Sequence, residues 1–576
     1  MSRVLTCLVI VGLTSSPARA QEISGGIVSL GGPAQLPRDT RPAAGRTVIR
    51  GHVVAADGGQ PLRRATVRVS GPALKGVRTT LTDASGRYEF SDLPAGQYSI
   101  NASKPSFVNA AYGQIGKPLV LANNQTADGI DIRLPRGAVI TGRVTDEFGE
   151  PVPNAAIMPL RQQFVQGRRR LMPAGSQAQT DDIGEYRIFG LAPGQYYVSA
   201  AAMQQIFGGP NDAIEGPETR NGYALTFYPG APDQDAAQRL TVGAAQTLSG
   251  IDISLLATRL STVSGFAMDL QGRPLTAGDV SAFRRGGNIT RFGAGGPIRP
   301  DGTFTISGLA AGEYAVRATL PPAPGTAPGP PQWALAMVTV NGDDLAGVRL
   351  APIAPATVSG RVSFDDAASA QALKPSAMSV VMQPLNPDDA LLGIGTTPGP
   401  SPLRDDFTFE LKTTPGPVGL RIVAQAAGGA TPWQLKTIRV NGVDVTDTGI
   451  DVGSQGVNGI EIEMTNRLQQ LSGTVADARG VTATDYAVAI FSQDRTRWTA
   501  PLNRHLAVGR PSNDGTFRIS TLPPGDYYAI ALDRIDGSEA LDPESLEGMA
   551  RLATTFSLSA GDTRTLDLKL VTLQGR

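Results

Sequence analysis

One short phrase recurs about once every hundred residues along this chain, and it restricts the fold more than any other feature. The phrase runs Asp83-Ala-Ser-Gly86-Arg-Tyr88-Glu-Phe90-Ser-Asp-Leu93-Pro-Ala-Gly96-Gln-Tyr98-Ser-Ile100. It returns as Asp182-Ile-Gly184-Glu-Tyr186-Arg-Ile188, then Leu191, Gly194 and Tyr196. Two further copies are built on Gly302, Phe304, Leu309, Gly312 and Tyr314, and on Gly515, Phe517, Leu522, Gly525 and Tyr527. A worn copy, Asp406-Phe407-Thr-Phe409-Glu-Leu411 followed by Gly416 to Ile422, fills the remaining gap. The phrase contains no reactive group, so it describes a structural module used five times and not a chemical site.

Each copy reads as a β-hairpin with a turn at both ends. The Asp–Gly pair supplies a side-chain acceptor and a positive-φ position for a tight turn. Tyr88/Phe90 and their equivalents alternate with polar residues, the period of a strand buried on one face. The Leu-x-x-Gly corner then reverses the chain and alternation resumes at Tyr98/Ile100. A Tyr just after such a corner resembles the tyrosine corner of sandwich folds, where the hydroxyl bonds nearby backbone. These aromatic positions are expected in the core.

Opening strands recur as well: Val48-Ile-Arg-Gly51, Val139-Ile-Thr-Gly142, Val263-Ser-Gly265, Val358-Ser-Gly360 and Leu471-Ser-Gly473. Closing strands do the same, from Gly129-Ile-Asp-Ile132 to Leu566-Asp-Leu568. These marks set five β-sandwich modules at 47–135, 138–257, 260–352, 355–465 (degenerate) and 468–573. Short connectors imply restricted hinges. A domain of this size has a diameter of roughly 35 Å, so five in an extended row would reach on the order of 170 Å.

Residues 1–20 read as a secretory signal: Arg3, an apolar run from Val4 to Leu13, and a small-x-small site ending at Ala20, where cleavage is expected. Residues 21–46 are Gly/Pro/Ala-rich and read as a flexible leader. The expected location is therefore secreted, periplasmic or cell-surface, with no membrane-spanning segment after cleavage. Cys7 is the only cysteine and lies inside the signal, so the mature chain has neither disulfides nor thiolate metal sites. Lys and Arg total 51 against 51 Asp and Glu, which removes the electrostatic case for nucleic acid or an anionic membrane.

The phrases resemble the carboxypeptidase regulatory-like domain. The motifs that carry this are the Val-x-Gly opening, Gly59-Gln-Pro61-Leu-Arg-Arg-Ala65 with its counterpart Gly149-Glu-Pro151-Val-Pro-Asn-Ala155, the Asp-x-x-Gly-x-Tyr-x-Phe segment and the Leu-x-x-Gly-x-Tyr corner. The resemblance is strong in modules 1 and 2, good in 3 and 5, and partial in 4. It implies an all-β chain of five tandem Greek-key, prealbumin-like or Ig-like sandwiches in a string, of a fold grouped with carbohydrate-binding-like domains. It does not imply peptidase activity. Relatives in surface pili cross-link a strand Lys to an Asn, but none of the five opening strands here contains a lysine.

No catalytic constellation is legible. His52 and His505 are the only histidines, in different modules, so a His-based zinc site is not expected. Neither a phosphate loop nor a Gly-x-Ser-x-Gly elbow is present. Asp365-Asp366 and Asp405-Asp406 read as turn residues, and Arg168-Arg169-Arg170 as a solvated hairpin tip. Asp542 to Arg551 is the one segment read as a helical turn. The candidate ligand contacts are Trp333, Trp433 and Trp498 with Tyr197 and Tyr528, which strand alternation points away from the core. The alternative for the tryptophans is burial against neighbouring strands or the next module. The chain is thus expected to be a non-catalytic scaffold or adhesion protein without cofactors, with a glycan or an envelope protein as candidate partner. A carbohydrate-binding array is the alternative, and an accessory role in an extracellular hydrolase system ranks behind it.

Overall fold

A computed structural model describes residues 47–572, apart from 113–118, 203–220, 286–293, 321–331, 425–432, 513–514, 536–538 and the single positions 75, 372, 398, 485, 521 and 534. The signal, the leader and most of the Gln204–Gly222 insertion lie outside the described residues. Strand accounts for 55% of the described residues and helix for 5%, a mostly β composition. Five buried apolar clusters follow one another in tandem, spanning 49–134, 138–255, 263–350, 356–464 and 471–568.

Module 1 gives the pattern. The opening strand Thr47–Ala55 pairs antiparallel with Arg87–Leu93 and parallel with Thr126–Ala127 and Ile132–Leu134. The second sheet holds Thr66–Ser70, Arg78–Leu81, Gly96–Ser103 and two short strands. The repeated phrase is therefore not a hairpin. Its two strands lie in different sheets, and the Leu-x-x-Gly corner carries the chain across the core from one to the other. The same holds in every module, because the equivalent strands pair with the opening strand on one side and with the second sheet on the other. Alternation alone does not separate a hairpin from such an arch, since both bury every second residue. In modules 3 and 5 the pairing continues from one sheet into the other, giving seven-stranded assemblies.

The motif residues have distinct physical tasks. A Cβ added at Gly51, Gly142, Gly265, Gly360 or Gly473 would lie 1.8–2.2 Å from a carbonyl oxygen of the closing strand. Only glycine lets the two parallel strands approach so closely. In modules 1 and 2 the same carbonyls, Ile130 and Ile251, accept hydrogen bonds from Tyr88 and Tyr186 at 2.6 Å. At the corner, the hydroxyls of Tyr98, Tyr196, Tyr314 and Tyr527 each donate to the carbonyl four residues earlier, at Pro94, Ala192, Ala310 and Pro523. Asp83 accepts the amides of Ser85 and Arg87, and these bonds hold its carboxyl below the usual range. In module 2 this turn is held by Asp181, which accepts from Ile183 and Glu185, and not by Asp182.

Module 4 adds two helices that the sequence reading places in turns or leaves unassigned. Asp366 caps Ala367–Ala370, and Asn386 caps Pro387–Leu392. In module 5, Asp542 precedes the helix Pro543–Ala550. No helix among the described residues is long and apolar enough to cross a membrane.

Candidate functional site: the inter-module junction

The longest hairpin of module 2 leads to the junction. Strand Ala156–Val165 pairs with Arg168–Pro173 from Leu160↔Pro173 to Val165↔Arg168, leaving Gln166-Gly167 as the turn. The turn needs glycine twice over. Gly167 has φ +80°, and a Cβ there would lie 2.2 Å from the carbonyl oxygen of Thr499 in module 5. Gln166 donates its side-chain amide to Pro384 O of module 4 at 3.3 Å. The hairpin tip is therefore docked against modules 4 and 5, although Arg168 itself is exposed.

Two arginines of this strand reach two different modules. Arg170 is 12% exposed; it pairs with Asp388 through Nη1 and donates Nη2 to Asn386 Oδ1 at 2.6 Å. Arg169 bonds Asp542 at 3.0 Å and Glu544 at 2.8 Å. Both targets lie at helix starts. Asn386 and Asp542 each precede a proline in the first helical position, where the missing N–H costs nothing. Asn386 accepts the Asp388 amide and the Arg170 guanidinium with one oxygen, so capping and docking are coupled. Burial, reinforced by neighbouring Asp388, pushes the Asp389 carboxyl up, against the opposing charges of Arg285 and Arg168. The other end of the helix is gripped from module 3: a Cβ at Gly393 would lie 2.6 Å from Trp333 Nε1. The short helix Glu539–Leu541 also lies against the hairpin strand Ala156–Val165. An extended row would keep modules 2 and 5 apart; here they touch.

Modules 4 and 5 share a second polar seam. Arg504 donates to Asp447 at 2.7 Å and to the carbonyls of Leu435 and Lys436. His505 is 3% exposed, with Nε2 at 3.3 Å from Asp447 and Nδ1 at 3.0 Å from the Tyr527 hydroxyl. Burial of Asp447 opposes ionisation, but hydrogen bonds from His505 and Arg504 and their charges outweigh it, leaving a pKa of about 2. Leu502 covers Gly419, where a Cβ would lie 2.5 Å away.

The five aromatic candidates do not form a common face. Trp433 is 6% exposed and meets Phe364 edge-on in the module 4 core. Trp498 is 5% exposed, donates Nε1–H to Ser492 O at 2.7 Å, and shares Phe491 with Tyr528 in a second cluster of module 5. Tyr197 points away from the main module 2 core, as alternation requires, but a second cluster with Leu160, Leu171 and Phe227 covers it. Trp333 is half-buried between Arg317, 4.3 Å from its ring centre, and Gly393 of the next module. His52 lies on the exposed face of module 1, 3.2 Å from Asp131. Among the described residues no group of three His, Cys, Asp or Glu side chains is placed to hold a metal ion.

The family profile of the carboxypeptidase regulatory-like domain matches residues 48–135 and 139–205. Residues 48–205 thus hold two carboxypeptidase regulatory-like domains. The junction hairpin therefore belongs to the second of these regulatory-like domains, while its partners lie in modules 4 and 5. Comparison with curated proteins gave no match. Solved structures that match include a Streptococcal ancillary pilin, 11% identical over 53% of this chain and 98% of that chain, TM-score 0.19. The Bacillus anthracis TIE protein is 10% identical over 93% of this chain and 76% of that chain, TM-score 0.14. A major pilin subunit of Bacillus cereus, in a variant form, is 10% identical over 53% and 99%, TM-score 0.15.

Proposed function

We propose that this chain is a non-catalytic scaffold or adhesion protein of the cell envelope or its surroundings, whose sandwich modules are clasped into one body that presents their outer faces. The junction carries the reading. Arg169 ties module 2 to module 5 across 373 residues of chain, Arg170 ties it to module 4 across 218, and Trp333 adds module 3. Pairing charges at reduced exposure fixes orientation more than it adds raw stability. Such a device suits a protein that must hold surfaces in a set geometry.

Small-angle scattering of the purified chain tests the clasp. The parent should give a radius of gyration well below that of an extended row, and Arg170→Asp should raise it. Pairing that change with Asp388→Arg should bring it back. Equal scattering from parent and Arg170→Asp would end the clasp reading. Turnover by a clean preparation on peptide and glycan panels would end the non-catalytic one. Surface labelling of intact source cells tests location, and exclusively cytosolic protein would contradict it.

A further inference from the structure

We infer that the outer face of the first sheet of module 2 is a binding groove for a neutral oligosaccharide. The inference goes beyond the scaffold reading and uses none of the tryptophans. A groove of about 840 Å³ runs over this face, with Thr141, Glu185, Arg187 and Phe189 on its floor and Gln177 and Asp252 on its walls.

Module 1 shows what closes the same face elsewhere. In register, Gly51 matches Gly142 and Tyr88 matches Tyr186, so Arg50 and Glu89 occupy the places of Thr141 and Arg187. Arg50 and Glu89 form a cross-strand pair at 2.9 Å that fills the centre of the module 1 face, and His52 meets Asp131 beside it. Module 2 has a short Thr141 opposite Arg187, and Arg143 turns aside to donate to Ile183 O at 2.7 Å. The side chains of Arg187 and Glu185 make no hydrogen bond or ion pair with other described residues. Where module 1 has Ser91, module 2 has Phe189, a residue 40% exposed.

The chemistry of the floor selects the ligand. Strand alternation puts Glu185, Arg187 and Phe189 on one face at about 6.6 Å intervals. Arg143 and Arg187 nearly balance Asp181, Glu185 and Asp252 around the groove, so a polyanion gains nothing there. Main-chain groups along 138–143 are bonded to strand 185–191, so a ligand lying on this face is read by side chains, whereas a peptide adding by strand pairing would have to use the outer edge of strand 185–191 at the rim of the sheet. A guanidinium, a carboxylate and a hydroxyl in a row match adjacent hydroxyl groups that both donate and accept. An exposed ring beside them matches the apolar C–H face of a pyranose.

The test uses the purified full chain on an array of neutral hexasaccharides of glucose, mannose, galactose and N-acetylglucosamine, with acidic glycans and a peptide library alongside. Hits are followed by calorimetric titration. Saturable binding to a neutral oligosaccharide is expected. Arg187→Ala and Phe189→Ala should each weaken it about tenfold, the loss of roughly one good contact. Thr141→Glu, which sets a carboxylate opposite Arg187 and closes the groove as in module 1, should abolish it. Arg50→Ala should leave it unchanged. Thermal unfolding like the parent's shows that each variant is folded. The inference is overturned by silence across the neutral panel, by binding that survives all three groove changes, or by selection of acidic glycans or peptides alone. None of these outcomes touches the clasp, which scattering measures separately.

Discussion

Modules 1 and 2 share the opening strand, the corner and the buried tyrosines, and a telling difference between them is one hairpin. In module 1 the corresponding strands are Thr66–Ser70 and Arg78–Leu81, five and four residues joined by a longer loop. In module 2 they are Ala156–Val165 and Arg168–Pro173, ten and six residues joined by two. At about 3.3 Å per residue the longer ladder extends beyond the sandwich it starts from. Its far end carries Arg169 and Arg170 into neighbouring modules. Module 1 spends its comparable charges internally, on Arg50–Glu89 and His52–Asp131 at its own exposed face. The repeated residues thus make a module, and the length of one unrepeated hairpin makes an assembly.

The largest effect that would break this comparison lies in what the two modules share. Gly142→Ala must displace the Ile251 carbonyl, and Gly51→Ala that of Ile130. Each should cost about 3 kcal/mol or more by denaturant unfolding. A loss below about 1 kcal/mol would show that the strands can separate cheaply. Gly58→Ala, in a turn with nothing within 4 Å of the added Cβ, is the near-neutral control.

Next in size is the charge that leaves its module. Arg170→Ala should cost about 2–3 kcal/mol, because it strands Asp388 and Asn386 at a partly buried contact. Arg50→Ala, which removes an exposed pair inside module 1, should leave stability little changed. Equal values for the two would erase the distinction between internal and junction charges.

The seam between modules 4 and 5 should respond to acid. Asp447 has a folded pKa of about 2, and an unfolded aspartate titrates near 3.9. The depressed value means that its contribution is fully present above about pH 4 and is lost as pH falls towards 2. The amount is about 2 kcal/mol. Asp447→Asn should flatten that part of the stability–pH curve, and an unchanged curve would remove Asp447 from the seam. The smallest expected effect is Tyr196→Phe, which deletes one corner hydrogen bond and should cost about 1 kcal/mol. Tyr98→Phe should match it, since the corner is common to both modules.

The tyrosine corner was legible because donor and acceptor lie four residues apart, and the core aromatics because alternation is a local period. The arch between sheets was not legible, since a hairpin leaves the same pattern. Asp366 and Asn386 were missed as helix caps because helices of four and six residues are too short to show a period. The tryptophans read as candidate stacking platforms because exposure is a property of neighbours that the strand itself does not name. Phe189 shows the same limit: alternation with the core residue Ile188 phases it outward, but only the absence of a filling pair around it makes a groove.

The sequence by itself determined the all-β sandwich class, the core tyrosines and phenylalanines, and the turns, because each rests on residues within a few positions of one another. The tertiary structure alone decided that Arg170 meets Asp388 and Arg169 meets Asp542, that His505 is buried against Asp447, and that one sheet face is open while its twin is closed. Partners separated by hundreds of residues leave no periodic trace in a chain. Whether a charge ends in water or in a junction depends on which surface the folded modules bring to it.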